Sequence, residues 1–206
     1  MAEEIVQDGL VKEYYESGEL QSESNYINGK LNGIFKEYYE NGKVLFEGNY
    51  IYGIGNGDFK EYYENGKVFL EYNYIDGKLD GNFKQYYESG RLLGDYNYAN
   101  GEVEGLLVEY YENGRVKVTN NYINGSLEGI RKEYYESGSL KLEETYRNNQ
   151  LNGAFTKYSE GYEIKSEGNY TNGKLDESLR KKILKVIINI VVIGLMLFYL
   201  ALKLKS

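Results

Sequence analysis

An all-β chain, an elongated single-layer antiparallel β-meander followed by one C-terminal transmembrane α-helix, is the fold class this sequence predicts. Three observations carry it. A 24-residue unit recurs without insertion or deletion from Gly9 to Asp176. Turn-forming dipeptides punctuate it about every dozen residues. A run of apolar residues then occupies Ile183 to Leu202.

The copy from Gly57 to Asp80, GDFKEYYENGKVFLEYNYIDGKLD, shows the unit. Its leading glycine recurs at Gly9, Gly33, Gly57, Gly81, Gly105, Gly129 and Gly153, which makes seven copies. One tyrosine series (Tyr14, Tyr38, Tyr62, Tyr86, Tyr110, Tyr134, Tyr158) and a second (Tyr26, Tyr50, Tyr74, Tyr98, Tyr122, Tyr146, Tyr170) keep step throughout.

Two turn signals mark each copy. The first ends on a repeat-defining glycine, at Gly18, Gly42, Gly66, Gly90, Gly114 and Gly138, preceded by Asn or Ser. The second is Asn28-Gly29, Asp76-Gly77, Asn100-Gly101, Asn124-Gly125 or Asn172-Gly173. Both suit type I′ hairpin loops, whose two central residues need positive φ. The segments between turns, such as Lys43 to Ile51 and Ile54 to Glu64, are rich in Tyr, Phe, Val and Ile. Two strands per copy predict roughly fourteen strands. The leading glycine lies inside the longer segment and predicts a bulge there.

The pattern G-x-F-K-E-Y-Y-E-N-G-K-V, then E-x-N-Y-I-x-G-K-L-x-G, resembles the MORN repeat, in the bacterial variant found in proteins often labelled antitoxin-like. The resemblance covers residues 9 to 176. It implies a repeat fold, and with it an interaction role; fold alone does not dictate activity. The pattern decays at the end, where Asn149, Ser159 and a displaced Gly161-Tyr162 depart from it and Glu177 stands where an eighth leading glycine would fall. A terminal cap is expected of a repeat array.

The domain plan is therefore a lead-in (1–8), the repeats (9–176), a basic linker (177–182), a transmembrane helix (183–202) and a short tail (203–206). The lead-in has neither a basic start nor an apolar run and does not read as a secretory signal. Twenty helical residues span ~30 Å, the thickness of a hydrocarbon core. The flanking cations are Arg180, Lys181 and Lys182 before the span and Lys203 and Lys205 after it, with Lys185 just inside. Their excess before the span places the repeats on the cytoplasmic side, in a bacterial inner membrane, with the helix as a tail anchor.

Charge is divided along the chain. Residues 1–179 hold 18 of the 24 basic residues and all 32 acidic ones, a net −14, and the remainder carries +6. An acidic repeat domain repels phosphate, so no nucleic-acid partner is expected, and a basic protein partner fits better.

Without His or Cys, nucleophilic triads, Cys-His dyads and ordinary zinc sites are excluded. No phosphate-binding glycine loop is present. Carboxylates such as Glu37 and Glu61 recur as a row ~10 Å apart rather than as one differentiated pair. The expectation is a chain that is not an enzyme and takes no cofactor or metal. Side chains alternate across a strand, so the Lys36 and Glu37 rows face opposite ways, as do Tyr38 and Tyr39. One tyrosine row packs with Val44, Val68, Leu92, Val116 and Leu140. The other, Tyr15, Tyr39, Tyr63, Tyr87, Tyr111 and Tyr135, is the candidate partner-binding row, because tyrosine gives large contact area at small entropy cost.

Three functions follow in order of preference. The first is a membrane-tethered protein-interaction scaffold. An antitoxin or immunity protein masking a basic toxin rests on the resemblance alone. A lipid-organising protein rests on MORN repeats in membrane-associated proteins.

Overall fold

The structure is a computed structural model, and it describes residues 8–177. The expected membrane span, its flanking cations and most of the lead-in lie outside the described residues.

Hairpins follow one another in sequence order. The strands are β1 (Gly9–Tyr14), β2 (Leu20–Ile27), β3 (Lys30–Leu31), β4 (Gly33–Tyr38), β5 (Val44–Ile51), β6 (Ile54–Tyr62) and β7 (Val68–Ile75). They continue as β8 (Lys78–Leu79), β9 (Gly81–Tyr86), β10 (Leu92–Ala99), β11 (Glu102–Val103), β12 (Gly105–Tyr110) and β13 (Val116–Ile123). The last are β14 (Ser126–Leu127), β15 (Gly129–Tyr134), β16 (Leu140–Arg147), β17 (Gln150–Tyr158), β18 (Ile164–Thr171) and β19 (Lys174–Leu175). All nineteen form one antiparallel sheet. The excess over fourteen arises chiefly because the arm bearing the leading glycine is broken in two in most repeats, as in β3 and β4, and stays continuous in β6 and β17.

That break is the expected bulge. Gly48 opposes Phe59 and Tyr50 opposes Gly55, so three residues, Asn56 to Asp58, stand against Asn49 alone. The middle one, Gly57, has φ +106, a region open to glycine. The Asn49 side chain closes the gap by donating Nδ2–H to the Asn56 carbonyl at 2.7 Å. A second bulge was not foreseen. Glu37 opposes Phe46 and Tyr38 opposes Val44, leaving Leu45 as the extra residue, and the same shift recurs at β1/β2, β6/β7, β12/β13 and β15/β16.

The two turns differ, which corrects the expectation of one turn type. At Asn28-Gly29 both residues have positive φ, 53 and 68, as a type I′ loop needs. At the tyrosine-pair turns only the glycine does, with φ between +77 and +91 at Gly18, Gly42, Gly66, Gly90, Gly114 and Gly138. Gly42 N–H donates to the Tyr39 carbonyl at 2.8 Å and Tyr39 N–H to the Lys43 carbonyl at 2.8 Å. This is a type I turn closed by a left-handed glycine, the three-residue hairpin loop. Asn41 stays at negative φ because its side chain accepts from Lys43 N–H at 3.0 Å. In the last repeat the order is Gly161-Tyr162, and Tyr162 takes the left-handed place at φ 65.

Among the described residues no side chain is fully buried, and the buried hydrophobic ones are Phe59, Leu107 and Val118. Strand alternation sorts the rest onto two faces. One, the aromatic face, carries Phe35, Glu37, Phe46, Tyr50, Phe59 and their repeats. The other, the ladder face, carries Lys36, Tyr38, Glu47 and theirs. The rings of the aromatic face touch in an unbroken chain: Phe35–Phe46 at 5.8 Å, Phe46–Phe59 at 5.9 Å, Phe59–Tyr72 at 5.7 Å, Tyr72–Phe83 at 5.5 Å and Phe83–Tyr98 at 5.6 Å between centroids. Each such pair contributes about 0.5–1.5 kcal/mol beyond its area. Gly48 makes room, since a Cβ there would overlap the Phe59 ring.

Two outcomes test this geometry. Tyr162 is 70 % exposed and strained, so Tyr162→Gly relieves ~1–2 kcal/mol of left-handed strain with little packing lost. Slower amide exchange in β17 and β18 is the expected result. Gly48→Ala drives the Phe59 ring from its seat and costs ~1–3 kcal/mol, read as a lower thermal midpoint.

Candidate functional site

Charges on the ladder face are arranged by the strand register. Lys12, Glu23, Lys36, Glu47, Lys60, Glu71, Lys84 and Asp95 are successive cross-strand partners, alternating in sign from β1 to β10. Val108 and Thr119 interrupt the row before Lys132 and Glu143 resume it. Opposite charges therefore stand directly across from one another, the arrangement that favours cross-strand pairing. Ion pairs form at Lys12–Glu23 (3.5 Å), Lys36–Glu47 (3.6 Å), Lys60–Glu71 (3.0 Å) and Lys132–Glu143 (3.2 Å). Exposed as they are, each is worth little alone.

A tyrosine joins each of the first three pairs. The hydroxyls of Tyr38, Tyr62 and Tyr86 donate to Glu23 (2.6 Å), Glu47 (2.6 Å) and Glu71 (2.8 Å), each reaching from the next repeat. The Tyr38 bond and the neighbouring lysines hold Glu23 below the ordinary carboxylate value. Burial alone would push Glu71 up, but the Tyr86 and Lys60 bonds outweigh it and leave it lowered. Burial first, then the carboxylate bond, lifts Tyr38 and Tyr86 to about 12. The partners on this side are thus Tyr38 with Val44 and Tyr62 with Val68, as expected for the packed row.

The row Tyr15, Tyr39, Tyr63, Tyr87, Tyr111 and Tyr135 lies on the aromatic face at the edge of the ribbon, half-buried throughout. Tyr63 packs on Phe69 at 4.9 Å, and Lys141 Nζ stands 5.8 Å from the Tyr135 ring centre. Every hydroxyl in the row is already engaged: Tyr39 donates to the Tyr62 carbonyl at 2.7 Å, Tyr63 to that of Tyr86 at 2.8 Å and Tyr111 to that of Tyr134 at 2.7 Å. Tyr15, Tyr87 and Tyr135 repeat the contact on Tyr38, Tyr110 and Tyr158. The row therefore latches each repeat to the next, a role the sequence did not disclose, and offers ring faces rather than hydroxyls to anything docking there.

The opposite edge has a latch of its own. Asp80 accepts from Asn100 N–H at 3.0 Å, Glu104 from Asn124 N–H at 2.7 Å and Glu128 from Asn148 N–H at 2.8 Å; Asn32 does the same for Tyr52 N–H at 3.2 Å. The signal for it was present, since Asp, Asn or Glu precedes every leading glycine.

Carboxylates on the aromatic face divide into two halves. Glu109 pairs with Lys117 (3.4 Å), and Glu133 pairs with Lys141 and with Arg131 (3.2 Å), which also reaches Glu144 (3.3 Å). Burial would raise Glu133, and these cations outweigh it, leaving it lowered. Glu13, Glu37 and Glu61 have no cationic partner among the described residues; Ser22 donates to Glu13 (2.9 Å) and Tyr72 to Glu61 (2.9 Å). Among the described residues no group of three His, Cys, Asp or Glu is placed to hold a metal ion. No helix there is long and apolar enough to cross a membrane.

Burial of these tyrosines, reinforced by the carboxylates near them, makes the sheet sensitive to alkali. A tyrosine raised above its ordinary value of about 10 stabilises the fold fully below that pH and loses the contribution as pH climbs through its folded value. Tyr38, Tyr86 and Tyr96 are each raised to about 12. The denaturation midpoint should hold steady to the ordinary tyrosine value and fall between there and about 12, with phenolate absorbance appearing in the same window. Tyr38→Phe/Tyr86→Phe should flatten the fall.

Comparison with curated proteins returns no match. Six segments, residues 7–28, 31–52, 56–76, 79–100, 103–124 and 127–148, match the family described as MORN repeat variant. That number corrects the expected seven: the departures at Asn149, Ser159 and Gly161-Tyr162 put the last period outside the match, although β17 to β19 keep the hairpin geometry. MORN repeats are in general protein- and membrane-interaction repeats. With the matched segments covering more than half of its length, the chain belongs to the MORN repeat variant family.

Proposed function

We propose that this chain is a non-enzymatic scaffold whose aromatic face captures a basic protein partner while residues 183–202 hold the complex at a membrane. One observation carries the choice of face. The ladder face consumes its charges internally, lysine and tyrosine both on glutamate, whereas the first half of the aromatic face joins half-exposed rings to carboxylates with no cation beside them. Unpaired charge next to apolar surface is what a complementary partner neutralises. A shallow hollow of the ladder face, lined by Ile34, Glu47, Asn49, Asp58 and Lys60, holds polar groups that already have partners: Glu47 with Lys36, Asn49 with the Asn56 carbonyl, Asp58 with Asn73 and Lys60 with Glu71.

The tether rests on composition: Arg180, Lys181 and Lys182 before the span put the repeats on its more basic, cytoplasmic side. A basic toxin is one partner of the required chemistry, which keeps an antitoxin role within this reading.

The full chain in native membranes provides the test. A photo-crosslinking residue at Tyr39 or Tyr63 should give a protein adduct, and the same residue at Ile34 or Lys60 should not. Adducts with lipid alone, or only from the ladder face, would overturn the reading. Alkaline extraction should leave the chain in the pellet and release a version ending before Ile183.

A further inference from the structure

The repeats are variations on one site, so positions filled in one copy show what an unfilled copy takes. At the position of Glu37, the fifth repeat has Glu109 with Lys117 and the sixth has Glu133 with Lys141, and each lysine occupies the extra-residue place of the second bulge. Repeats two and three carry Leu45 and Phe69 there. Where those repeats have Phe35 and Phe59, the sixth has Arg131, which bridges Glu133 and Glu144 with Tyr146 completing the contact to Glu144 at 3.2 Å. The chain thus contains, 72 or 96 residues downstream, an occupied form of a surface it leaves vacant between β4 and β7.

The vacant copy has a definite shape. Glu37 opposes Phe46, and Phe46 opposes Glu61 on the next strand, so two carboxylates flank one ring. Two strand spacings separate them, ~10 Å. Phe35 stands beside the Phe46 ring at 5.8 Å and the buried Phe59 supports it at 5.9 Å, each tilted by 51° to it, so the half-buried Phe35 and Phe46 rings provide the apolar floor. A planar guanidinium suits such a floor better than an ammonium, because it stacks on rings while its N–H groups reach a carboxylate. Side chains of an extended segment alternate between its two faces and the chain advances ~3.3 Å per residue, so arginines four residues apart share one face, flank the residue midway between them and reach the two carboxylates by leaning inward.

We infer that Glu37, Phe46 and Glu61 form a docking site for an extended partner segment bearing two arginines four residues apart, with an apolar side chain at the midpoint between them on Phe46. The inference rests on the aromatic face being the partner face and names what that partner presents. Among the described residues the row offers nothing comparable downstream, where Lys117, Arg131 and Lys141 neutralise it.

The test uses the full chain in detergent micelles at physiological ionic strength and a synthetic peptide, Arg-Ser-Leu-Ser-Arg with blocked ends, followed by amide chemical shifts. Citrulline in place of arginine keeps the shape and removes the charge. Shifts centred on Phe46 with the arginine peptide, and about tenfold or more weaker binding with citrulline, are expected from the loss of charge-assisted hydrogen bonds. Glu37→Gln/Glu61→Gln should weaken binding comparably, and Glu167→Gln, on the ladder face at the far end, should leave it within about twofold.

Leu45→Lys/Phe69→Lys copies the pairing already present in repeats five and six. It should fold and occlude the site from within. Equal binding of the citrulline peptide, shifts spread over both faces, or undiminished binding by the Leu45→Lys/Phe69→Lys variant would each overturn the inference. Peptide binding without a membrane adduct at Tyr39 would instead leave the site standing and remove the scaffold reading.

Discussion

A sheet one layer thick has no interior, and every other feature of this molecule answers that constraint. Phe59 is 3 % exposed, and among the described residues only Leu107 and Val118 join it as buried hydrophobics. Burial at ~25 cal/mol per Å2 of apolar area therefore acts in half measures along the whole ribbon rather than at one centre. What replaces a core is lateral contact between neighbours in the array: ring on ring along one face, charge beside charge along the other, and side-chain hydrogen bonds binding both long edges. Because each repeat touches only the next, stability accumulates nearly additively along the array. The edge latches matter for this reason. A hairpin's own backbone bonds hold its two strands together; the Tyr39 hydroxyl and the Asp80 carboxylate reach across the repeat boundary.

Much of this was legible in the residues. The period, the reversals, the bulge at each leading glycine and the opposite facing of Lys36 and Glu37 all follow from spacing and from two-residue alternation. What escaped was whatever depends on neighbouring copies meeting in space. Asn41-Gly42 and Asn28-Gly29 are the same dipeptide, yet they close different turns, because the Asn41 side chain accepts from Lys43 N–H and stays at negative φ. The bulge at Leu45 has no glycine to announce it. The destination of the Tyr39 hydroxyl, a carbonyl 23 residues on, emerges only once the repeats are stacked.

The candidate site divides in the same way. That Tyr15, Tyr39, Tyr63, Tyr87, Tyr111 and Tyr135 share one side was readable; that they bind their own chain first was not. The extra residue at Leu45 shifts the strand by one, putting Leu45 and Phe46 both on the aromatic face, and so brings position 45 within reach of Glu37. Without that unforeseen shift, Lys117 and Lys141 would read as ordinary surface lysines. With it, they become the counter-ions of Glu109 and Glu133.

A perfectly periodic ribbon would bind equally everywhere along its length, and so would position nothing. This one is periodic in its backbone and aperiodic in its side chains. The ring chain runs from Phe35 to Tyr98 and stops where Leu107, Val118 and Asn120 take over; the ladder of alternating charge is broken at Val108 and Thr119. Both interruptions fall in the fifth repeat, and beyond it Arg131 and Lys141 settle the carboxylates internally. The second half of the array therefore pairs its aromatic-face carboxylates internally, while Glu37 and Glu61 in the first half have no cationic partner among the described residues. The self-satisfied repeats follow the open face in the array, and the distance along the ribbon from one to the other is fixed by the number of strands between them.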